Sequence, residues 1–329
     1  MEYTTLGGTG LTVSRICVGC MSFGRSREWF LDEEASAEIV HRAIDLGINF
    51  FDTANSYSAG ESERFLGSAL DGHDADRLVI ATKVGHGVGD PPPNGTGLSR
   101  KAIDHQLEGS LRRLNVDSVD VYQAQSWDFE TPIEETLRAL TDAVRRGDVR
   151  YLGASKVWAH QLAAALHASD DLGSERIASV QNLYNLVYRE DEKEVLPLAQ
   201  REGIGVTPFS PLMRGYLARS DDEMEATARG TADSSRRGRW SPDAASTAAV
   251  KARAEELAAD HGVSVAQLAL AWLFHQPAVD APILGVTSVE HLEQAVEALD
   301  VSLSESELAY LEAPYEPVEI PYYRAMRTP

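Results

Sequence analysis

Leu78-Val79-Ile80-Ala81-Thr82-Lys83 is an unbroken apolar run that ends on a charge, and Asn49-Phe50-Phe51-Asp52 ends the same way. Neither stretch alternates polar with apolar residues, so each reads as a strand buried on both faces, the habit of a parallel sheet. Working outward, similar runs lie at Ile16–Val18, Val119–Ala124, Val149–Ala154, Ala178–Asn182, Gly205–Phe209 and Ala281–Leu284. Helical periodicity fills the gaps at Glu33–Leu46, Ser62–Leu70, Arg100–Leu114, Ile133–Arg146, Trp158–Ser169, Arg189–Glu202 and Ser264–Phe274. Ser99 and Thr131-Pro132 stand where helix N-termini need caps. Eight strands alternating with helices predict an α/β fold, a (β/α)8 TIM barrel, as a single domain over residues 1–329. A short β-hairpin, Tyr3–Leu6 and Thr12–Ser14, precedes it. Arg219–Ser246, rich in Asp, Ser, Arg and Gly, reads as a long loop at the barrel mouth.

Charge narrows the function. The net charge is -21, from 51 acidic and 30 basic residues, which argues against nucleic acid as a partner. Of the basic residues only Lys83, Lys101, Lys156, Lys193 and Lys251 are lysines. An acidic, lysine-poor surface suits a salty cytoplasm, where counter-ions screen the repulsion. The densest apolar stretch, Ala266–Phe274, is far short of the roughly 20 residues that span a bilayer. Glu2 and the Leu6-Gly7-Gly8 turn do not resemble a secretory leader, so a cytoplasmic location is expected. The two cysteines, in Cys17-Val18-Gly19-Cys20, have no second Cys/His pair, and packed thiols are expected in place of a metal site.

Catalytic groups of barrel enzymes sit where strands reach the C-terminal mouth. Asp52 and Lys83 close adjacent strands, and Tyr57 follows on the next loop. A lysine beside a phenol can lower its pKa and make it a usable general acid. The alternative is a rim salt bridge beside a packing tyrosine. Gly85-His86-Gly87-Val88-Gly89 follows a strand like a dinucleotide loop, but Pro91-Pro92-Pro93 replaces the required helix.

Asp52-Thr53-Ala54-x-x-Tyr57, with Gly60-x-Ser62-Glu63 behind it, resembles the first signature of the aldo-keto reductase family. The resemblance continues through Ser110-Leu111-Arg112-Arg113-Leu114, Tyr122-Gln123, Val149-Arg150-Tyr151-Leu152-Gly153-Ala154-Ser155 and Ser210-Pro211-Leu212. With the acidic composition, it suggests a haloarchaeal-type member. It implies a hydride passed from NADPH to a small-molecule carbonyl, Tyr57 as proton donor, and Lys83 and Asp52 tuning it. One position departs. The family's Tyr-Gln-x-His is Tyr122-Gln123-Ala124-Gln125 here, and glutamine can donate a hydrogen bond but cannot titrate.

The same resemblance assigns Gln181 and Ser155 to the nicotinamide carboxamide, with Lys156 where the family has asparagine. It gives Phe209 the nicotinamide face, and Ser210, Leu212 and Arg214 the pyrophosphate. Gly285, Thr287, Ser288, His291 and Gln294 fall on the adenosine-phosphate segment, where Gly285 and His291 replace two customary basic residues. NADP(H) is the expected cofactor, and NAD(H) the other these positions admit. Trp127, Trp158 and Phe23 are candidates for the substrate wall. A nicotinamide-binding sensor with little turnover is the competing reading, and Gln125 is the feature that fits it.

Overall fold

The computed structural model describes residues 1–219 and 245–317. Eight parallel strands form the sheet: β3 (Cys17–Gly19), β4 (Phe50–Asp52), β5 (Val79–Val84), β6 (Val119–Ala124), β7 (Val149–Ser155), β8 (Ile177–Gln181), β9 (Gly205–Val206) and β10 (Ile283–Leu284). β10 pairs with β3, and each later strand pairs with its successor as far as β9. The seam between β9 and β10 closes through a parallel bridge from Phe209 to Ile283 and the bond Ile283 N→Pro208 O, 2.9 Å. Both seam strands are shorter than the sequence suggests because Pro208 and Pro282 have no N–H to give a ladder.

Hairpin strands β1 (Tyr3–Thr5) and β2 (Thr12–Ser14) pair antiparallel. Their turn plugs the strands' N-terminal end. Leu6 and Val13 are wholly buried, packed with the inward residues Cys17, Phe50, Val79, Val121 and Ile283. Gly7, at φ 55°, lies so close to β9 that a Cβ would stand 2.3 Å from Gly205 N.

Around the sheet run α1 (Glu33–Asp45), α2 (Glu61–Leu70), α3 (Arg100–Leu114), α4 (Ile133–Arg146), α5 (Ala159–Leu172) and α6 (Val195–Glu202). Ser99 caps α3 as expected, accepting from Ala102 N. Thr131 does not cap α4. Its hydroxyl donates to Asp128 Oδ2 at 2.8 Å, and Pro132 holds the cap position without a side-chain bond. The expected helix over Arg189–Glu202 is broken into a 3-10 turn and α6, because Pro197 is tolerated only in a helix's first turn. Helices α7 (Ala245–His261), α9 (Val289–Glu297) and α10 (Glu305–Glu312), additional to those expected, accompany the expected α8 (Val265–Phe274). Apart from Arg219, Ala245 and Ser246, the expected loop at 219–246 lies outside the described residues. Among the described residues no single helix is long and apolar enough to cross a membrane.

Strand alternation turns the chemistry inward. Phe51, Ile80 and Tyr122 pack in the outer core towards the helices, so Asp52, Lys83 and Gln123, an odd number of residues along the same strands, face the axis.

Candidate active site

Asp52 and Lys83 meet inside the barrel, 2.5 Å apart and at most 2% exposed. Lys83 Nζ also donates to Thr53 O at 2.7 Å and to the Tyr57 hydroxyl at 3.4 Å. Burial alone would push the Lys83 ammonium down, but the charge of Asp52 and its hydrogen bond more than offset this and push it up. Tyr57 departs from the expected direction. Burial pushes its phenol above the ordinary value, and Asp52 adds to this against the opposing pull of Lys83. The phenol is therefore held protonated, which suits a group that gives a proton.

The loop carrying Tyr57 is pinned at both ends. Thr53 Oγ1 and Ser62 Oγ are 2.7 Å apart, and Ser62 donates to Cys20 O at 2.7 Å. Buried Glu63 accepts from Thr82 Oγ1 and Arg113 Nε, both at 2.6 Å. Asn55 Nδ2 reaches Gln106 at 2.6 Å and His86 O at 2.8 Å. Ser58 and Ala59 are left-handed, with φ 47° and 53°. Lys156, Ser210, Met213 and Arg214 are left-handed too, and all six lie on loops beyond the strands' C-terminal ends. Such strain clusters at ligand clamps.

Gln125 is buried beside this group. Its N–H donates to Val84 O at 2.8 Å, and its Oε1 accepts from Ser56 Oγ at 3.2 Å. That bond leaves the amide nitrogen as the end available to a ligand.

The register of β7 and β8 pairs Ser155 with Gln181. Ser155 Oγ is buried without a hydrogen-bond partner, a costly state unless a ligand supplies one. Gln181 Nε2 donates to Asp52 Oδ1 at 2.9 Å and to Gln123 Oε1 at 3.2 Å, so its free end is the acceptor Oε1. A hydroxyl and an amide oxygen side by side match a primary carboxamide, which both donates and accepts. These residues fit a nicotinamide.

The other expected cofactor residues lie on the same face. Phe209, half-buried, sits at the seam. Ser210, Leu212 and Arg214 follow it, and Asn185 Nδ2 ties the turn by donating to Ser210 O at 3.0 Å. Gly285 and Thr287 are exposed after β10, and Ser288 caps α9 by accepting from His291 N. Gln294 is engaged with Glu290 at 3.3 Å. Desolvation pushes the His291 imidazole down, and the Arg219 guanidinium pushes the same way. Arg219 is thus a cation whose charge acts on this segment, and no motif in the sequence marks it. Lys156 is exposed, and desolvation and the nearby charge of Lys83 push it down.

The substrate wall needs correction. Phe23 is wholly buried, because the chain turns back there and bridges Phe23 to Leu31, so its ring offers no face to a ligand. Trp127 lines an apolar cavity between the sheet and α4 and α5, so that side of the indole packs the outer layer. Trp158 is 69% exposed at the mouth. Met21 and Phe129, 43% and 82% exposed on the loops after β3 and β6, join it. Their places just past strand ends could have marked them.

The sequence profile of the Aldo/keto reductase family matches residues 15–316. The chain belongs to the aldo/keto reductase family. An aldo-keto reductase of Alternaria alternata is 38% identical to it over 95% of this chain and 91% of its own length. The versiconal hemiacetal acetate reductase of Aspergillus parasiticus is 37% identical over 97% of this chain and 98% of its own. This aldo/keto reductase is therefore an oxidoreductase by kinship. The relatives named are fungal, so kinship lends nothing to the haloarchaeal-type expectation, which rests on composition.

Proposed function

We propose that this aldo/keto reductase reduces an aldehyde or ketone to the alcohol with NADPH, using Tyr57 as proton donor. The observation that carries the reading is the buried Asp52–Lys83–Tyr57 chain beside the unpartnered Ser155 hydroxyl. Ser155 and Gln181 would hold the nicotinamide carboxamide, Phe209 its ring, and Ser210, Leu212 and Arg214 the pyrophosphate. Arg219, His291 and Ser288 would hold the adenosine phosphate, which favours NADP(H) over NAD(H). The bound dinucleotide supplies the hydride.

The remaining work belongs to side chains. Tyr57 Oη gives its proton to the substrate oxygen as that oxygen gains charge. Lys83, kept cationic by Asp52, stabilises the phenolate left behind. Gln125 Nε2 donates to the same substrate oxygen, and Ser56 keeps the amide turned for it.

Mixing the NADPH-bound protein with one equivalent of a reactive aldehyde tests this directly. Loss of the reduced-nicotinamide absorbance in a single turnover is expected. A stable signal would instead favour the sensor reading, which Gln125 in place of a titrating histidine recommends.

Gln125 also predicts the shape of the pH profile. With no proton to lose near neutrality, it contributes no step there, whereas Gln125→His should add one at about pH 6–7. Gln125→Ala should lose a donor to the developing alkoxide, at a cost of about 3 kcal/mol in the barrier. Equal turnover by alanine and glutamine would make Gln125 a bystander.

The acidic surface is proposed to be an adaptation to salt. The net charge of -21 should make the fold self-repelling in dilute buffer. The thermal midpoint should climb from low to molar potassium chloride, and a flat profile would exclude the adaptation.

A further inference from the structure

The Asp52 carboxylate serves three donors with two oxygens. Lys83 takes Oδ2 at 2.5 Å, while the amide nitrogens of Gln123 and Gln181 each reach Oδ1 at 2.9 Å. The second hydrogen of Gln181 Nε2 goes to Gln123 Oε1 at 3.2 Å. These side chains come from β4, β5, β6 and β8, and none is more than 4% exposed. A bond from β6 to β8 must pass across β7. It passes at Gly153, the register partner of Gln123, where a Cβ would stand 2.6 Å from Gln123 Cγ and 2.9 Å from Ser179 Oγ. The missing side chain makes room for the bridge.

An ionised carboxylate leaves a neighbouring amide one orientation, nitrogen inward. Asp52 and Gln123 together use both hydrogens of Gln181, so only its Oε1 remains to meet a ligand. Without Gln123, one bond would remain and the terminal amide torsion, which is intrinsically broad, would be less restrained. We propose that Gln123 is a positioning residue, holding Gln181 Oε1 as the acceptor for the nicotinamide carboxamide and joining the cofactor end to the Lys83–Tyr57 end through Asp52. This inference rests on the cofactor reading above.

The titratable groups around Asp52 are Lys83 on β5, Tyr57 on the loop after β4, Cys17 and Cys20 at β3, and Lys156 beyond β7. Removing one donor from Asp52 leaves its charge less balanced, which opposes ionisation of the Tyr57 phenol more strongly.

Gln123→Met keeps length and volume but loses the amide. Wild type and variant are titrated with NADPH and, separately, with 2′,5′-ADP, which lacks nicotinamide, by quenching of tryptophan fluorescence. NADPH should bind about three- to tenfold more weakly, the worth of roughly one hydrogen bond, while 2′,5′-ADP binds unchanged. Gly153→Ala, which crowds the bridge from β7, should give the same split and serves if Gln123→Met folds poorly. The alkaline limb of kcat should also move upward in Gln123→Met, with KM for the carbonyl unmoved. Equal weakening of both nucleotides, no weakening, or an unmoved limb would overturn the proposal. Wild-type protein that bound neither NADPH nor NADH would remove the cofactor reading, and this inference with it.

Discussion

Tyr57→Phe should lower carbonyl reduction by about 10²–10⁴-fold, the usual worth of a positioned general acid. NADPH affinity should stay near that of wild type, because only the hydroxyl is lost. The hydroxyl's protein contact is the 3.4 Å bond to Lys83, so little stability depends on it. Steady-state kinetics, with fluorescence titration of the cofactor, reads both quantities. Comparable turnover in the two proteins would remove Tyr57 from the chemistry. In wild type, reduction should hold level through the neutral range and fall only in strong alkali, because burial keeps the phenol protonated beyond its ordinary value.

Lys83→Met should be the most damaging single change to the fold as well as to activity. It leaves Asp52, 2% exposed, as a buried anion without its cation. Breaking a buried pair in this way costs about 3–5 kcal/mol. Asp52→Asn in the same chain should recover much of the stability and none of the activity, because neutralising both partners removes the stranded charge. Denaturant unfolding of the single and double variants decides it, and a single variant as stable as wild type would refute the argument. The pair also sets an alkaline limit. Lys83 has its folded pKa raised, so its contribution is complete below the unfolded value of about 10.4 and disappears as pH climbs through the folded one. The stability gap between wild type and Lys83→Met should therefore close only in strong alkali.

Asp52 and Lys83 could be found in the chain because a charge ending a buried apolar run is costly, and such a cost is kept where chemistry needs it. Gln125 was equally visible, as an amide in a motif that otherwise carries an imidazole. Phe23 was misread for a physical reason. An aromatic just past a strand end points to the mouth only if the chain continues outward, and here it folds back against Leu31. The phenol's pKa was misjudged because the pull of Lys83 can be read from neighbouring motifs, whereas the opposing burial cannot.

Periodicity and apolar runs act over a few residues, so the strand–helix alternation, the barrel and the motif residues are legible along the chain. Which inward side chains meet depends on how the strands assemble. Gln123, Gly153 and Gln181 lie far apart in the chain and become one bridge when β6, β7 and β8 align in register. The charge of Arg219 likewise acts on His291 only because the loop after β9 and the start of α9 share the mouth. Contacts of that kind depend on strand register and barrel closure, which are properties of the assembled sheet, and no local stretch of residues encodes them.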